Sequence, residues 1–522
     1  MPQHSTSASA DVTAPGPHPG GARRSAFSGG AWSATATVAP MALVLALSVV
    51  ISRELGPDVL GQQSLVAYVG ALAFSVATYS CVSASVQLLS SAHGARDQAR
   101  LAHLSRWSFV AHLTGGGLAA SVLLVTGLAR TDYRELWFVA AATVLVDSVG
   151  WAYASRDIAL HGWRRTASRR LLAQSLGPTL GIVAVLVGLG VQGVFAAQLL
   201  VSVCLAVVLG RIGRSTTAPA ASAFPAPPWR PVLRLWSLFV LSTVIVQVVE
   251  RRLELVFLDQ LHEPETVAMF SVAFNVVGLP LLLSASLIGS AMPAIARRHA
   301  QDPSVVLGTM SRAARVLVAV NLVLCAGTVT VGPGLVVAVY GPDFAEAAGL
   351  VRYLGLTLLL APLGHLCQAL WTGTGNLRPV LVAGGAGAVV DIVLAATLIP
   401  AFAAEGAVVA TVAAQTTVAG IVIVYTFRRG LRLQLRIGRL VRAAAVAIAA
   451  GLAATACVSL VGGWVGTALS VPAFVAVALL GSRFVGVVDP EDVDWLATTL
   501  PAGVERLVRA LTRRPRGRRR AA

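Results

Sequence analysis

The 522-residue sequence contains no lysine and little charge of either sign, with charged residues making up only 12% of the chain. An average soluble domain is about 25% charged. Hydrophobic residues, in contrast, make up 56% of the chain. A water-soluble fold would have to expose much of this apolar surface to water, whereas membrane helices expose it to lipid and satisfy their own backbone polar groups. The composition therefore argues against a soluble protein and predicts a helical membrane protein.

Motifs of ATP-driven transporters and of common hydrolases are also absent. The sequence has no G-x-x-x-x-G-K-[ST] loop, no H-E-x-x-H helix and no G-x-S-x-G turn. We therefore predict no enzymatic activity and no cofactor. Cysteines are few and lie alone in apolar runs, which argues against a disulfide framework or a zinc site. They are Cys81, Cys204, Cys325, Cys367 and Cys457.

Apolar segments of the length that a membrane helix requires, about 20 residues, recur along the chain. They predict an all-α polytopic membrane protein with about fourteen transmembrane helices, arranged as two six-helix lobes plus two C-terminal helices. The predicted spans are 30–51, 62–91, 107–128, 136–156, 171–190, 191–210, 233–258, 266–292, 313–339, 346–372, 378–401, 404–427, 440–462 and 464–486.

Arginines are concentrated in alternate gaps between the spans. The tails and even-numbered gaps contain 34 of the 40 arginines. Because positive residues favour the cytoplasmic side, this bias predicts a protein of the cytoplasmic membrane with both termini in the cytoplasm. The net charge of +17 is spread over short gaps and forms no basic stripe on a soluble module, so we predict no nucleic-acid partner.

A Pro/Ala-rich segment divides the chain after the sixth span. Val66-Ala67-Tyr68 recurs as Val272-Ala273-Phe274, and residues 193–197 recur loosely as residues 406–410. Two six-helix repeats of equal topology are therefore predicted, as in transporters built from two lobes. The predicted regions are a disordered tail 1–28, an N-lobe 29–210, a linker 211–232, a C-lobe 233–428, two further helices in 429–486 and a basic amphipathic tail 487–522.

Charged residues within spans are costly and usually face a cavity or a partner. The seventh span contains Glu250, Arg251, Arg252 and Glu254. One interpretation places these arginines in a cationic cavity that binds phosphate or carboxylate, which arginine can grip with two hydrogen bonds. The alternative is a salt-bridge patch at the membrane surface.

Further polar residues extend both interpretations. Arg53 and Arg352 either join the cationic surface or extend to the interface, and Asn275 contacts either a sugar or a neighbouring helix. Asp147 and Asp391, together with the glutamates of the seventh span, are candidates for coupling to H⁺ or Na⁺. Their alternative role is structural, as carboxyls that are hydrogen-bonded between helices.

Short motifs follow three of the predicted spans. They are Leu55-Gly56-Pro57 with Leu60-Gly61, Tyr340-Gly341-Pro342-Asp343-Phe344, and Leu398-Ile399-Pro400 followed by Glu405-Gly406-Ala407-Val408-Val409-Ala410-Thr411. Their placement in a fourteen-span layout, over most of residues 30–486, resembles the multidrug/oligosaccharidyl-lipid/polysaccharide (MOP) exporter superfamily. Within it, the pattern is similar to the polysaccharide-transporter, O-antigen-flippase-like branch.

The resemblance implies a V-shaped cationic cavity between two lobes, and alternating access driven by an ion gradient or the membrane potential. The implied substrate is a glycan linked to a polyprenyl diphosphate, used for cell-surface polysaccharide synthesis. The implied partners are membrane lipids, a polysaccharide polymerase and glycosyltransferases. The position of Asp391 is often Asn in such proteins, which favours a structural role for it.

Four other functions remain open at this stage. Two come from the same superfamily: a lipid II flippase of peptidoglycan synthesis and a cation-coupled multidrug antiporter. An antiporter predicts an acidic or aromatic cavity, in contrast to the arginines of the seventh span. A membrane-embedded glycosyltransferase requires a sizeable outer domain, which the short outer gaps do not provide. A non-transporting scaffold is the fourth.

Overall fold

The computed structural model describes residues 40–487, except for 162, 216–229, 302, 375, 432 and most of 231–252. This part of the chain is all-α. The helices are α1 at 40–55, α2 Pro57–Gly94, α3 Gln98–Leu128, α4 Arg134–His161, α5 Trp163–Leu186, α6 Gly190–Ser215, α7 Glu254–Leu261, α8 Pro264–Gln301, α9 Pro303–Thr330, α10 Gly332–Tyr340, α11 Ala345–Leu354, α12 Thr357–Gly373, α13 Arg378–Arg428, α14 Ile437–Val461 and α15 Gly463–Val485.

Each predicted span overlaps at least one of these helices, and the predicted fold class is confirmed. Among the described residues, nine helices are long and apolar enough to cross a membrane, or ten if the bent pair Pro342–Leu354 and Thr357–Thr372 is counted as one span. The helix α13 contains two predicted spans, 378–401 and 404–427. Ala403, with φ 45°, breaks the helix between them. The chain is therefore a multi-pass membrane protein.

Many large apolar side chains are exposed on the surface of the bundle. Leu118 and Val125 on α3, Leu186 on α5 and Leu452 on α14 are each more than 60% exposed. Such a surface is unfavourable in water and suitable for contact with lipid.

The helices pack in two groups and an appended pair. In the first lobe, α1–α6, the helix α4 packs against α2, α3 and α6, and α5 packs against α6. In the second lobe, α7–α13, the helix α12 packs against α8, α9 and α13. The helices α14 and α15 pack against each other, and α14 also packs against α9.

Several sequence predictions lie outside the described residues. They concern the disordered tail 1–28, most of the linker, the basic tail from 488 onward, and the residues Glu250, Arg251 and Arg252. These predictions, together with the exact domain boundaries, stay predictions.

Candidate functional site

The two lobes meet at one end of the bundle, which we call the joined end. It carries the turns between α1 and α2, α3 and α4, and α7 and α8. One cluster of buried apolar side chains at this end contains residues from both lobes. Examples are Ile51 and Leu60 from the first lobe and Leu255, Phe270 and Tyr340 from the second. Apolar burial therefore fixes the lobes together here.

Polar contacts reinforce the joined end. Arg130, in the turn between α3 and α4, donates hydrogen bonds from both terminal nitrogens to the carboxylate of Asp259 on α7. Arg53 donates from Nε and Nη2 to the carbonyl oxygens of Val339 and Ala338, at 2.9 and 2.7 Å. These contacts join residues of the first lobe directly to α7 and α10 of the second.

Close packing of α2 against α8 completes the joined end. A Cβ atom added to Gly61 would lie 1.9 Å from the carbonyl oxygen of Pro264. No side chain fits in that space. Glycine at position 61 therefore allows the two helix backbones to touch, and the Leu60-Gly61 motif of the sequence marks this contact between the lobes.

Away from the joined end, the buried clusters belong almost entirely to single lobes. Val82, Trp151 and Leu209 belong to a cluster of the first lobe, whereas a separate cluster around Leu366 and Val422 belongs to the second. A further first-lobe cluster is contacted by Trp236, from the segment that connects the lobes. In the described residues, the lobes thus share a core at one end only.

The half of α2 farther from the joined end exposes a polar face. Tyr79 is 42% exposed, Gln87 and Ser90 are also exposed, and Ser83 is half-buried. The spacing of four, four and three residues places them along one side of a helix. From Val110 onward, the large exposed side chains of α3 are apolar, and the exposed Thr114 and Ser121 hydroxyls donate to carbonyls of their own helix. We interpret the polar face of α2 as lining a watery gap between the lobes.

A π-helical segment, Ser75–Tyr79, lies in the middle of α2. Such segments are rare and often occur at functional sites. This segment separates the half that packs against the second lobe from the half with the polar face, and Tyr79 is its last residue.

A pair of carboxyls is buried within the second lobe. Glu254 at the start of α7 is 2% exposed and Asp391 on α13 is 1% exposed, and the two interact directly. Thr411, on the second part of α13, donates a hydrogen bond to Oε1 of Glu254. Apart from the contact with Glu254, neither oxygen of Asp391 has a hydrogen-bond partner among the described residues. Two adjacent buried carboxyls repel each other when both are charged, and a shared proton or a nearby cation would relieve that repulsion.

A second charged cluster lies within the first lobe. The guanidinium carbon of Arg170 on α5 lies 3.2 Å from the ring centroid of Trp151 on α4. Asp147 interacts electrostatically with Arg170 and accepts a hydrogen bond from Ser202 on α6. Tyr79 packs edge-on against Trp151, with ring centroids 5.4 Å apart. The cluster therefore combines one cation, one anion and two aromatic rings.

This cluster gives Arg170 partners that the sequence did not indicate. The arginine count of the sequence placed Arg170 with Arg164, Arg165 and Arg169 in the gap before the predicted span 171–190. The helix α5 begins at Trp163, so Arg170 lies two turns inside it and faces Asp147. Sequence analysis missed Arg170 and Thr411, because their significance depends on partners that are distant in the chain.

The remaining predicted site residues do not gather at one place. Arg352 is exposed on α11 and Asn275 is half-buried on α8. Arg53 is engaged with backbone carbonyls at the joined end. Of the four ion-coupling candidates, Glu254 and Asp391 lie together in the second lobe. Asp147 lies in the first lobe beside Arg170. Glu250 lies outside the described residues.

Comparison with solved structures identifies the fold. The lipid II flippase MurJ, in an inward closed conformation, matches with a TM-score of 0.69 and 11% identity over 86% of this chain and 97% of its own. A multidrug resistance MATE family transporter of the MOP superfamily, in an inward-facing conformation, matches with a TM-score of 0.61 and 18% identity over 75% of this chain and 95% of its own.

A MOP superfamily transporter from Pyrococcus furiosus, whose binding pocket is described as having reverse polarity, matches with a TM-score of 0.54 and 17% identity over 76% of this chain and 95% of its own. No family model matches the chain, and no curated protein is significantly similar to it in sequence. At these identities the likeness establishes the fold and leaves the substrate open. This protein is a multi-pass helical membrane protein with the fold of the MOP-superfamily transporters.

Proposed function

We propose that the protein is a flippase that moves a glycan linked to a polyprenyl diphosphate across the cytoplasmic membrane by alternating access, for cell-surface polysaccharide synthesis. The observation that carries the proposal is the asymmetry of the bundle. The lobes share a buried core at the joined end, whereas the other half of α2 exposes Tyr79, Gln87 and Ser90. A polar surface at membrane depth is tolerated where it lines a water-filled cavity.

The distribution of arginine supports a direction for the cycle. The turns at the joined end belong to the arginine-poor side, and the opposite turns belong to the arginine-rich side. The positive-inside rule then places the joined end outside and the polar gap toward the cytoplasm. The structure corresponds in this proposal to the state that loads substrate from the cytoplasm.

The carboxyl pair of Glu254 and Asp391 is the proposed coupling site. Binding of H⁺ or Na⁺ removes the repulsion between the two carboxyls and favours a tighter contact between α7 and α13. Because α7 also carries Asp259, the partner of Arg130 at the joined end, the cation and the contact between the lobes act on the same short helix. This link provides a physical route from ion binding to opening of the joined end.

Arg251 and Arg252 remain the proposed phosphate anchors. They lie three and two residues before Glu254 in the chain, and a polyprenyl diphosphate offers the oxygens that paired guanidinium groups bind best. A polysaccharide polymerase and glycosyltransferases are the proposed partners, since they would make and consume such a substrate.

A lipid II flippase is the second candidate. The similarity to the lipid II flippase MurJ, over 86% of this chain, favours it, and lipid II is also a polyprenyl diphosphate glycan. A cation-coupled multidrug antiporter fits the MATE-like fold, but it requires a cavity suited to cations. The arginines of the seventh span and of α5 favour an anionic substrate instead.

The proposal is tested with the full chain in liposomes that contain a fluorescent polyprenyl diphosphate disaccharide. A membrane-impermeant reductant that quenches only the outer leaflet reports flipping. We expect flipping by the wild type and its loss when Arg251→Gln and Arg252→Gln are combined, while Arg134→Gln, on the arginine-poor side, remains active. Lipid II is used in a parallel arm to separate the two candidates. Absence of flipping of either lipid, with proper insertion, would contradict a flippase.

A further inference from the structure

Arg170 has hydrogen-bonding capacity that its surroundings do not use. Its Nε and Nη2 atoms are buried and have no hydrogen-bond acceptor among the described residues. Asp147 balances the charge from nearby, but its hydrogen bond comes from Ser202. A charged group in the membrane with unused donors is unfavourable unless another partner joins it.

The guanidinium is held in a fixed orientation. It stacks on the Trp151 ring at 3.2 Å, which favours a flat arrangement and leaves its edge available for hydrogen bonds in the plane. Tyr79 packs edge-on against the same ring. The contacts that Arg170 and Tyr79 each make with Trp151 thus position the donors before any ligand arrives.

The cluster lies next to the polar face of α2. Tyr79, which interacts electrostatically with Arg170, begins the polar face of α2. On α5, Gln174 is exposed one turn from Arg170, whereas the exposed leucines Leu172 and Leu176 lie on the opposite side of the helix. Arg170 and Gln174 therefore share the side of α5 that faces away from lipid.

We propose that Arg170 forms a substrate subsite in the first lobe, separate from the seventh span, in which its in-plane donors bind the anionic oxygens of the substrate. Tyr79 and Gln174 border this subsite, and Asp147 balances the charge of Arg170 when the subsite is empty. The ligand chemistry is a phosphate carried by the substrate, and in this respect the inference rests on the proposed function. The substrate would then contact one cationic site in each lobe, Arg170 in the first and the arginines of the seventh span in the second.

Binding to the purified full chain tests the subsite without requiring transport. The probes are farnesyl diphosphate, farnesol and inorganic pyrophosphate, measured by titration calorimetry in detergent. We expect Arg170→Gln to weaken farnesyl diphosphate binding at least tenfold, and Arg170→Lys to weaken it less because the charge remains. Arg169→Gln is the matched control, since Arg169 lies 3.9 Å from Asp157 instead, and it should bind like the wild type.

The titration results distinguish a site for free phosphate from a site for a phosphate attached to a lipid. Pyrophosphate that binds as tightly as farnesyl diphosphate, with the same dependence on Arg170, shows that the subsite recognises the phosphate alone. Equal binding by wild type and Arg170→Gln, or equal loss with Arg169→Gln, overturns the subsite. If the wild type binds the probe through Arg170 but does not flip lipid, the subsite is supported and the flippase function is contradicted. If the protein flips lipid but Arg170→Gln binds the probe as tightly as the wild type, the flippase function is supported and the subsite is contradicted.

Discussion

Arg130 and Asp259 join the two lobes through a two-pronged ion pair, formed between the turn after α3 and the last part of α7. The Asp259 side chain is only 7% exposed, whereas that of Arg130 is 28% exposed. Any motion that separates the lobes at the joined end has to break this pair. The pair therefore contributes to the balance between the conformation described here and one that opens at the joined end.

The first prediction concerns this balance. Asp259→Asn removes the charge, and its amide keeps one acceptor oxygen, so one hydrogen bond from Arg130 is weakened and the other is lost. Hydrogen bonds to charged groups contribute about 1.5–3 kcal/mol each, net of exchange with water. We expect a shift of roughly tenfold in population toward the conformation that is open at the joined end. Distances between spin labels placed on α3 and α8 at this end would report the shift. Arg134→Gln is the control, because Arg134 contacts Phe138 within its own helix, and an equal shift in that variant would contradict the role of the pair.

The second prediction concerns the backbone contact between α2 and α8. Gly61→Ala places a methyl group against the Pro264 carbonyl and should separate the two helices, at a cost of about 1–3 kcal/mol. The same label distances should lengthen in Gly61→Ala. Gly70→Ala lies on the same helix with no atom within 4 Å of the added Cβ, so its distances should match the wild type. Unchanged distances in both variants would show that the lobes are not held by this contact.

The third prediction concerns the carboxyl pair. Asp391→Asn and Glu254→Gln each remove one negative charge while they keep the shape of the side chain, so the fold should be preserved. Transport in liposomes should become insensitive to an imposed Na⁺ or H⁺ gradient. Thr411→Val should reduce the dependence of transport on the ion gradient less than Asp391→Asn or Glu254→Gln does, since it removes only the hydrogen bond to Glu254.

Exposed Glu346, on α11, provides the control for that experiment. Glu346→Gln should retain the full response to the gradient. An Asp391→Asn variant that still responds to both gradients like the wild type would exclude the pair as the coupling site.

The fourth prediction concerns stability within the second lobe. Trp371 on α12 donates from its indole nitrogen to the hydroxyl of Thr426 on α13 at 2.9 Å. Thr426→Val leaves this buried donor unpaired, so we expect a loss of about 1–3 kcal/mol and a lower unfolding temperature in detergent. Thr397→Val is the control on the same helix, because the exposed Thr397 hydroxyl bonds only to carbonyls of its own helix. Equal unfolding temperatures for the two variants would contradict this assignment.

The all-α membrane fold class was predictable from the sequence because it depends on local composition. Apolar length determines where a span lies. The orientation inferred from the arginine bias stays a prediction. Helix ends were less predictable. The helix α5 begins at Trp163, eight residues before the predicted span at 171, because the hydrogen bonds of a helix continue through polar residues.

Partners distant in the chain were not predictable. Glu254 and Asp391 were each proposed as coupling residues, but their contact joins positions 137 residues apart. Arg170 follows other arginines, so counting charges assigned it to the cytoplasm, and only the packing of α4 and α5 places it beside Asp147. The π-helical segment that ends at Tyr79 has no signature in the periodicity of the sequence.

The central claim is that a polar gap between the lobes opens on the side away from the joined end. Gln87→Cys, in a background with the five native cysteines replaced, tests it through labelling by a membrane-impermeant thiol reagent added to one side at a time. Leu113→Cys, which replaces an exposed apolar side chain of α3, is the matched control. The account predicts that position 87 reacts rapidly from the cytoplasmic side and that position 113 does not react. If position 87 is as unreactive as position 113, or reacts only from outside, the gap described here does not exist on that side and the account is wrong.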